Sequence, residues 1–504
     1  MEQQGFVVGT RVKYGLAALA GSVVVYGGAS WWAGHGAEQA MAAQVQQLGK
    51  MPYFVVKSSS YKRGWFSAEQ TVELELTDRL TWPYQAYLKF ADKPYTPIRI
   101  KYRNHVQHGP LPLLGSFNLR PLKAYVETEL ILSADAKKAL KPFFGEQPPI
   151  RIDNRIAFNN DGQMRIRMPA FDYQEALSGV KLNWQGMDSG LTYSGDYTRY
   201  GVNSLLPGTL LDAASKGQIE VGKITLKTES QRGVAGLMLG RGEATLGKLT
   251  AGIKEPAPFK AGLTGLRYSY QSSAEGDFLN SDVQLDLATL DLNGKHYGPA
   301  HMAFAARHLH APTVARLEQL FLDMDKQGLS AQGATDKAFE LVKKNGLPLL
   351  RHDPQLELKQ LNITLPEGKV NVSGKLALKG FQDTDLEQPL VMLEKIDARA
   401  DIKLPKKVVE TYVRLLVRNI LIDRSGSELN EEQVANIDNL AQQLVQGQIA
   451  NLLEQKLIRA EGDILATSAV WHGGKLAVNE VNVPLPWQVK ATVENPPETD
   501  TKKP

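Results

Sequence analysis

Cysteine is absent from all 504 residues, which excludes disulfides, thiolate metal sites and cysteine nucleophiles. A chain exported to an oxidising compartment tolerates that absence without risk of mispairing, so it permits export without proving it. An excess of one charge is also missing. The 58 basic and 54 acidic side chains leave a formal net charge of +4, and no basic block gathers on one stretch, so nothing points to nucleic acid as a partner. Catalytic signatures are lacking too: there is no Gly-x-Ser-x-Gly elbow, no zinc-binding helix with paired histidines and no glycine-rich dinucleotide turn. Gly242 to Lys248 approaches a phosphate loop, but Leu249 stands where the magnesium-binding hydroxyl belongs. The expectation is a protein that is not an enzyme and carries no cofactor.

Long apolar runs are scarce, and the one present is N-terminal. From Tyr14 to Trp32 no Asp, Glu, Lys or Arg interrupts a stretch rich in Ala, Leu, Val and Gly. Its length approximately matches the bilayer hydrocarbon thickness of about 30 Å. Arg11 and Lys13 precede it and Trp31 and Trp32 close it, an order that places residues 1–13 in the cytoplasm and the tryptophans at the far interface. The alternatives are a cleaved signal peptide, with Gly27 and Ala29 supplying the small residues, and a buried core helix. The reading is one transmembrane anchor, 14–32, followed by an exported body.

Beyond a short helix predicted before Pro52, the apolar period changes from helical to two. Val72, Leu74 and Leu76 alternate with Glu73 and Glu75, and the pattern returns at Ile100 and Tyr102, at Val283 to Leu287, at Val370 and Val372, and at Ile396 to Leu404. Asp161-Gly162, Asn293-Gly294, Glu367-Gly368 and Gly473-Gly474 are hairpin-turn signals. The fold class is therefore α+β: a predominantly long antiparallel β-sheet with two helical insertions, preceded by the transmembrane helix. The expected order is β-rich 37–311, helical 312–345, β-rich 346–404, a helical pair at 405–460, closing strands at 461–493 and a loose tail at 494–504. In the pair, Val409, Val413, Leu416 and Ile420 recur at helical spacing, and Asn430 or Ser427 is placed to cap the second helix, with Gln433 completing a box with Asn430. One continuous sheet and two packed halves divided near Pro312 both remain open.

Few residues invite a chemical role. His308 and His310 would share one side of a strand as metal ligands must, but no cysteine or neighbouring carboxylate completes a set, so a polar strand face is the better expectation. Asp383 and Asp385 are spaced as a carboxylate pair in a polar stretch, which reads as solvated surface. Two loop motifs carry unusual residues. Tyr61-Lys62-Arg63-Gly64-Trp65-Phe66-Ser67 sets two bulky aromatics after a glycine, and His108-Gly109-Pro110-Leu111-Pro112 is a rigid turn. Trp65, Phe66 and Leu113 are expected either to plug an open end of the sheet or to meet a ligand, with Tyr61, Gly64, His108, Gly109 and Pro110 shaping the same place.

The N-terminal anchor, the Tyr-x-x-Gly-x-Phe-Ser segment at Tyr61 to Ser67, the His-Gly-Pro-x-Pro turn at His108 to Pro112, the Tyr-Gly-Pro segment at Tyr297 and the His-Asp-Pro-x-Leu segment at His352 to Leu356 occur in that order. As an ordered set they resemble the YdgA/YihF family of proteobacterial envelope proteins. The resemblance implies an inner-membrane location with a periplasmic body, a dimeric state, and a family without an established activity; it carries over no catalytic residue. The expected partners are the inner membrane, lipid and a second copy of the chain. The expected function is envelope maintenance or lipid handling through an apolar β-sheet groove, or an interaction scaffold acting through protein contacts.

Overall fold

In a computed structural model the protein is described over residues 10–90, 94–255, 257–325, 331–425 and 430–485. The expectations for residues 1–9, the tail 494–504 and Ser427 lie outside these. Strand accounts for 46% of the chain, so antiparallel sheet dominates and helices are additions to it. Two compact units divide the chain: Met1–Ala214, Lys223–Arg232 and Gln319–Ala338 form one, and Ser215–Gly222, Gly233–Glu318 and Phe339–Pro504 the other. The chain passes between the units near 214, 222, 232, 318 and 338, so one crossing lies close to Pro312 but the division is not a single split there.

The first unit opens on helix α1, Thr10–Lys50, a single helix of 41 residues. The anchor run and the short helix expected before Pro52 are therefore one element, with Arg11 and Lys13 in its first turns. Among the described residues no helix is long and apolar enough to cross a membrane. Strands β1 (Phe54–Arg63), β2 (Ser67–Leu76), β3 (Arg99–His108), β4 (Ala124–Leu130), β5 (Arg151–Ile156) and β6 (Gly162–Met168) pair antiparallel in order, and the meander continues through Met187–Tyr193, Arg199–Leu206 and Ile224–Arg232. Strict alternation decides which face is buried: in β2, Ala68, Gln70, Val72 and Leu74 are buried while their neighbours are not. Two helices absent from the sequence reading, α2 (Asp78–Phe90) and α3 (Ala134–Phe144), fill the longer strand connections. The first contains Pro83 and the second Pro142, and proline reads in a sequence as a helix breaker.

In the second unit seven strands follow in antiparallel register: Phe259–Glu275, Phe278–Leu287, Ala300–His310, Gln355–Leu365, Gly368–Leu378, Ile396–Pro405 and Ile464–His472. The expected turns at Asn293-Gly294 and Gly473-Gly474 have both central residues at positive φ, 49° and 83° in the first and 55° and 72° in the second, the geometry that matches the twist of a two-residue hairpin. Helices Ala311–Asp325 and Ala331–Asn345 interrupt the sheet, and Arg414–Ser425 and Glu431–Glu454 interrupt it again. Asn430 caps the last of these in a reciprocal box with Gln433.

The apolar face of the Arg414–Ser425 helix differs from the expected one. Val413, Leu416 and Ile420 are exposed, whereas Val409 and Val417 pack against the buried cluster of Val445, Ile449 and Leu465. A π-helical turn at Val409–Val413 is the cause, because one extra residue in the turn rotates every later position by about a hundred degrees. Asp385 also departs from expectation. It is buried, accepts from the Gln382 backbone N–H at 2.6 Å and pairs with Lys395 at 2.5 Å, and that lysine holds its carboxyl below the usual range. Asp383 turns away from it to Arg351, so the two carboxylates share no site.

The Asn430 cap gives a direct test. Asn430→Ala is expected to remove about 1 kcal/mol from the stability of the unit carrying Glu431–Glu454, read as a lower denaturation midpoint with unchanged slope, while Asn430→Asp retains it.

Candidate functional site

The residues singled out in the two loop motifs converge on one place, the seat of α1 on its sheet. Along the helix, Ser30, Gly34, Ala37, Met41 and Gln44 recur at alternating spacings of four and three, which lines one face. Ser30, Ala37 and Met41 are buried, and Ala37 and Met41 join Ala68, Val106, Ala124, Val126 and Ile156 in the main core of this unit. Burying the Met41 side chain alone contributes about 1.5–3 kcal/mol.

The contact at Ser30 and Gly34 is close and reciprocal. A Cβ on Gly34 would lie 2.7 Å from His108 Cε1, and a Cβ on Gly109 would lie 2.6 Å from Ser30 Oγ. Each partner therefore needs a glycine where the other projects. Gly109 also holds φ at +139°, a backbone region that side chains rarely enter. The buried His108 ring donates its Nδ1–H to the Ser30 carbonyl at 3.0 Å. A carbonyl can only accept, so Nδ1 carries a proton. Burial pushes the His108 pKa down, which favours the neutral ring. His108 Nε2 and Ser30 Oγ are both buried without a hydrogen-bond partner among the described residues.

Farther along the helix, Gln44 donates to the Tyr193 hydroxyl at 2.7 Å, which also accepts from Asn154 at 2.9 Å. The Tyr193 ring lies over Gly162, where any Cβ would meet it at 1.9 Å. Tyr61 packs against the same core, and its hydroxyl is pushed up to about 12 by burial and by Glu38. Lys123, mostly buried, reaches the Asn160 side chain, and burial lowers its pKa.

Gly64, Trp65 and Phe66 form the tip of the β1–β2 hairpin, closed by Gly64 N–H to the Ser67 carbonyl at 2.8 Å. Trp65 and Phe66 are 66% and 54% exposed, so they do not plug the end of the sheet. Their exposure follows from the hairpin geometry, since residues at a tight tip have no sheet to pack on. Phe66 stacks against Tyr26 of α1 at 6.2 Å, and the Tyr26 hydroxyl donates to the Leu111 carbonyl at 3.1 Å. Pro110 leads the chain away from the seat and is half-buried. Trp31 and Trp32 lie on the outer side of the helix and are exposed.

His308 and His310 do not form a paired ligand set. A bulge opposite Leu279 and Ser281 and a positive φ of 58° at His308 break the alternation between them. His308 Nδ1 donates to the His352 carbonyl at 2.6 Å and its ring stacks on Phe278, whereas His310 bonds Thr313 and stacks on His352. Among the described residues no group of three or more His, Asp or Glu could hold a metal ion.

A second candidate surface was legible only as a pattern. In the second unit, Tyr268, Leu285, Met302, Leu361, Val372 and Ile402 stand opposite one another across six strands, and Tyr270, Val283, Phe304, Leu358, Gly374, Ala400 and Ala469 form the adjacent row. A third row runs Ala306, Leu356, Leu376, Ala398 and Trp471. The reverse face carries Arg267, Asp286, His301, Asn362, Asn371 and Lys403, with ion pairs such as Arg267 to Glu243 at 2.8 Å. Helices cover the apolar face at its two ends, where Ala311 and Val314 meet Leu279, and where Val445 and Ile449 meet Leu465. Between those ends Tyr268, Leu285, Leu356 and Leu376 are 41%, 37%, 41% and 46% exposed. Seven strands at about 4.8 Å spacing make this open band roughly 29 Å long across the strands.

Bacterial protein of unknown function (DUF945) is the family whose model matches, over residues 12–486. Nothing among curated proteins and nothing among solved structures matches the chain.

The seat yields two expectations. Gly34→Val forces α1 off His108 and is expected to cost about 1–3 kcal/mol, read as faster trypsin cleavage at Lys62 and Arg63, whereas Gly28→Val, which meets nothing within 4 Å, leaves the rate unchanged. His108 has a folded pKa below its ordinary 6.5, so only the unfolded state takes up its proton just below that value. Its stability contribution is complete above pH 6.5 and is lost as pH falls from there towards the lowered folded pKa. Denaturation midpoints above and below that pH are expected to fall less steeply in His108→Gln than in the wild type.

Proposed function

The chain belongs to the DUF945 family of bacterial proteins of unknown function, and we propose that it is a membrane-anchored, non-enzymatic envelope protein that holds acyl chains along the half-covered apolar face of its second unit. Within that family we place it with the YdgA/YihF group on the motifs around Tyr61 and His108. The observation that carries the lipid reading is the band between the two helical covers: three rows of apolar residues across successive strands, with Tyr268, Leu285, Leu356 and Leu376 open to solvent. A soluble sheet normally covers its apolar face, and a contiguous uncovered one marks a binding surface. Apart from the hydroxyls of Tyr268 and Tyr270 at its edge, the side chains of its middle rows are hydrocarbon, thioether or glycine, which suits acyl chains better than a polar ligand. Its estimated length of roughly 29 Å exceeds the roughly 15 Å that one leaflet of acyl chain occupies.

The anchor reading rests on α1. No Asp, Glu, Lys or Arg occurs from Tyr14 to Ala37, Val24 and Val25 are more than 70% exposed, and the order of Arg11, Lys13 and then tryptophan fits an N-terminus in the cytoplasm and a periplasmic body at the inner membrane. A second reading has its own observation. Tyr412 and Val413 of the π-helical turn and Leu416 and Ile420 of the Arg414–Ser425 helix are exposed apolar residues close together in the chain, which suits a protein partner or a second copy of the chain.

Native mass spectrometry of the full-length protein with lipid extraction decides between them. Stoichiometric phospholipid or lipopolysaccharide is expected on the wild type and lost in Leu356→Asp/Leu376→Asp. The two positions face each other across neighbouring strands, so the paired aspartates also cost stability, and a variant shown by its cooperative unfolding to be folded, yet without lipid, supports the band. A lipid-free wild type, with a crosslinked partner dependent on Leu416, would transfer the function to the Arg414–Ser425 helix.

A further inference from the structure

Helix α1 carries an uncharged run from Tyr14 to Ala37 and joins the body at Ser30. A body held by one helix keeps a fixed orientation on a bilayer only where a second part of it also meets the lipid. The surface where α1 leaves the body carries such a part. Trp65 and Phe66 stand exposed at the β1–β2 tip, and the β3–β4 loop exposes Leu114 at 46%, Phe117 at 96% and Leu119 at 66%. The two loops are tied together and to the helix: His108 N–H donates to the Phe66 carbonyl at 3.0 Å, Phe66 stacks on Tyr26, and Tyr26 bonds Leu111 at the start of the second loop.

The tight tip accounts for the exposure of Trp65 and Phe66, but nothing in the β3–β4 loop requires its apolar side chains to point outward. Phe117 is held in the left-handed region at φ 55° by closure of a short turn, its N–H reaching the Leu114 carbonyl at 3.0 Å. That backbone conformation is costly for a bulky residue, and it buries none of the ring. Exposed Lys62 and Arg120 flank the aromatics, complementing anionic headgroups. Aromatic rings beside basic side chains at the point where an apolar helix emerges is the composition of a membrane–water interface.

We propose that the β1–β2 tip and the β3–β4 loop insert into the headgroup–acyl boundary of the membrane that α1 enters, giving the body a second lipid contact and a fixed orientation on the bilayer. This rests on the anchor reading above, and one experiment separates the two. The chain has no cysteine, so single cysteines can be placed in the full-length protein and labelled with an environment-sensitive fluorophore. Leu119→Cys and Phe117→Cys report the proposed contact, Val24→Cys reports the helix, and Leu177→Cys, 96% exposed elsewhere on the same unit, is the control. In proteoliposomes containing anionic phospholipid, the labels at 117, 119 and 24 are expected to shift to the blue and to lose emission to doxylated lipids, those at 117 and 119 to lipids doxylated near the headgroup and that at 24 to lipids doxylated deeper in the acyl chain, with 177 unaffected. Loss of emission at 24 but not at 117 and 119 overturns the second contact and leaves the anchor standing. No loss at any of the three overturns both.

Discussion

The first unit depends on the reciprocal approach of α1 to the turn at His108. Two glycines, Gly34 on the helix and Gly109 in the turn, make room for His108 and Ser30 respectively, and the histidine then bonds the helix backbone. From that fixed point the helix runs down the sheet, burying Ala37 and Met41 and ending in the Gln44 to Tyr193 bond. Without the seat, the apolar face of β2 to β5 around Val106, Val126 and Ile156 would lack a cover on this side. The seat also holds polar atoms at a cost: a buried, unpartnered His108 Nε2 or Ser30 Oγ forfeits about 1–3 kcal/mol. A position with such a cost persists where the helix must enter the body at one angle only.

Both units solve the same problem, a long antiparallel sheet with one apolar face, in different ways. In the first, a helix continuous with the N-terminal run lies along the face. In the second, helices meet the apolar face at Leu279 and at Leu465, and the rows through Val283 and Leu285 stay half-buried. The polar face shows why this half-covering is tolerated: alternation keeps Arg267, Asp286 and Lys403 on the wet side, so the exposed hydrocarbon is confined to one band instead of spreading over the surface.

The β architecture was legible because period two is a strong local signal wherever one face is wet. Val72, Leu74 and Tyr102 fall on the inner face as their spacing predicts. The hairpin turns at Asn293 and Gly473 follow from residues that accept positive φ. What was not legible depends on long-range contact or on a local break in period. The π-turn at Val409–Val413 shifts a helix face by one position with no residue to announce it. The burial of Asp385 requires Lys395, ten residues away. The helices containing Pro83 and Pro142 defeat the usual reading of proline. For the candidate site, the motifs at Tyr61 and His108 were visible, but their common purpose was not, because the partner residues Ser30 and Gly34 lie 78 positions or so before His108 and look like ordinary members of an apolar run.

That double duty divides the composition of α1 along its length. A helix that must approach a histidine ring and a loop backbone within van der Waals distance needs Ser, Gly and Ala on the approaching face, and each of these lowers mean hydropathy where Leu or Ile would raise it. Ser30, Gly34, Gly36 and Ala37 all meet the body, so the part of the uncharged run nearest the body is selected for closeness of packing. The remainder, including Val24 and Val25, is free of that demand and is exposed. On the anchor reading the helix is thus divided between two tasks, close packing on the sheet from Ser30 to Ala37 and contact with hydrocarbon before it, and the apolar loops beside its exit extend the second.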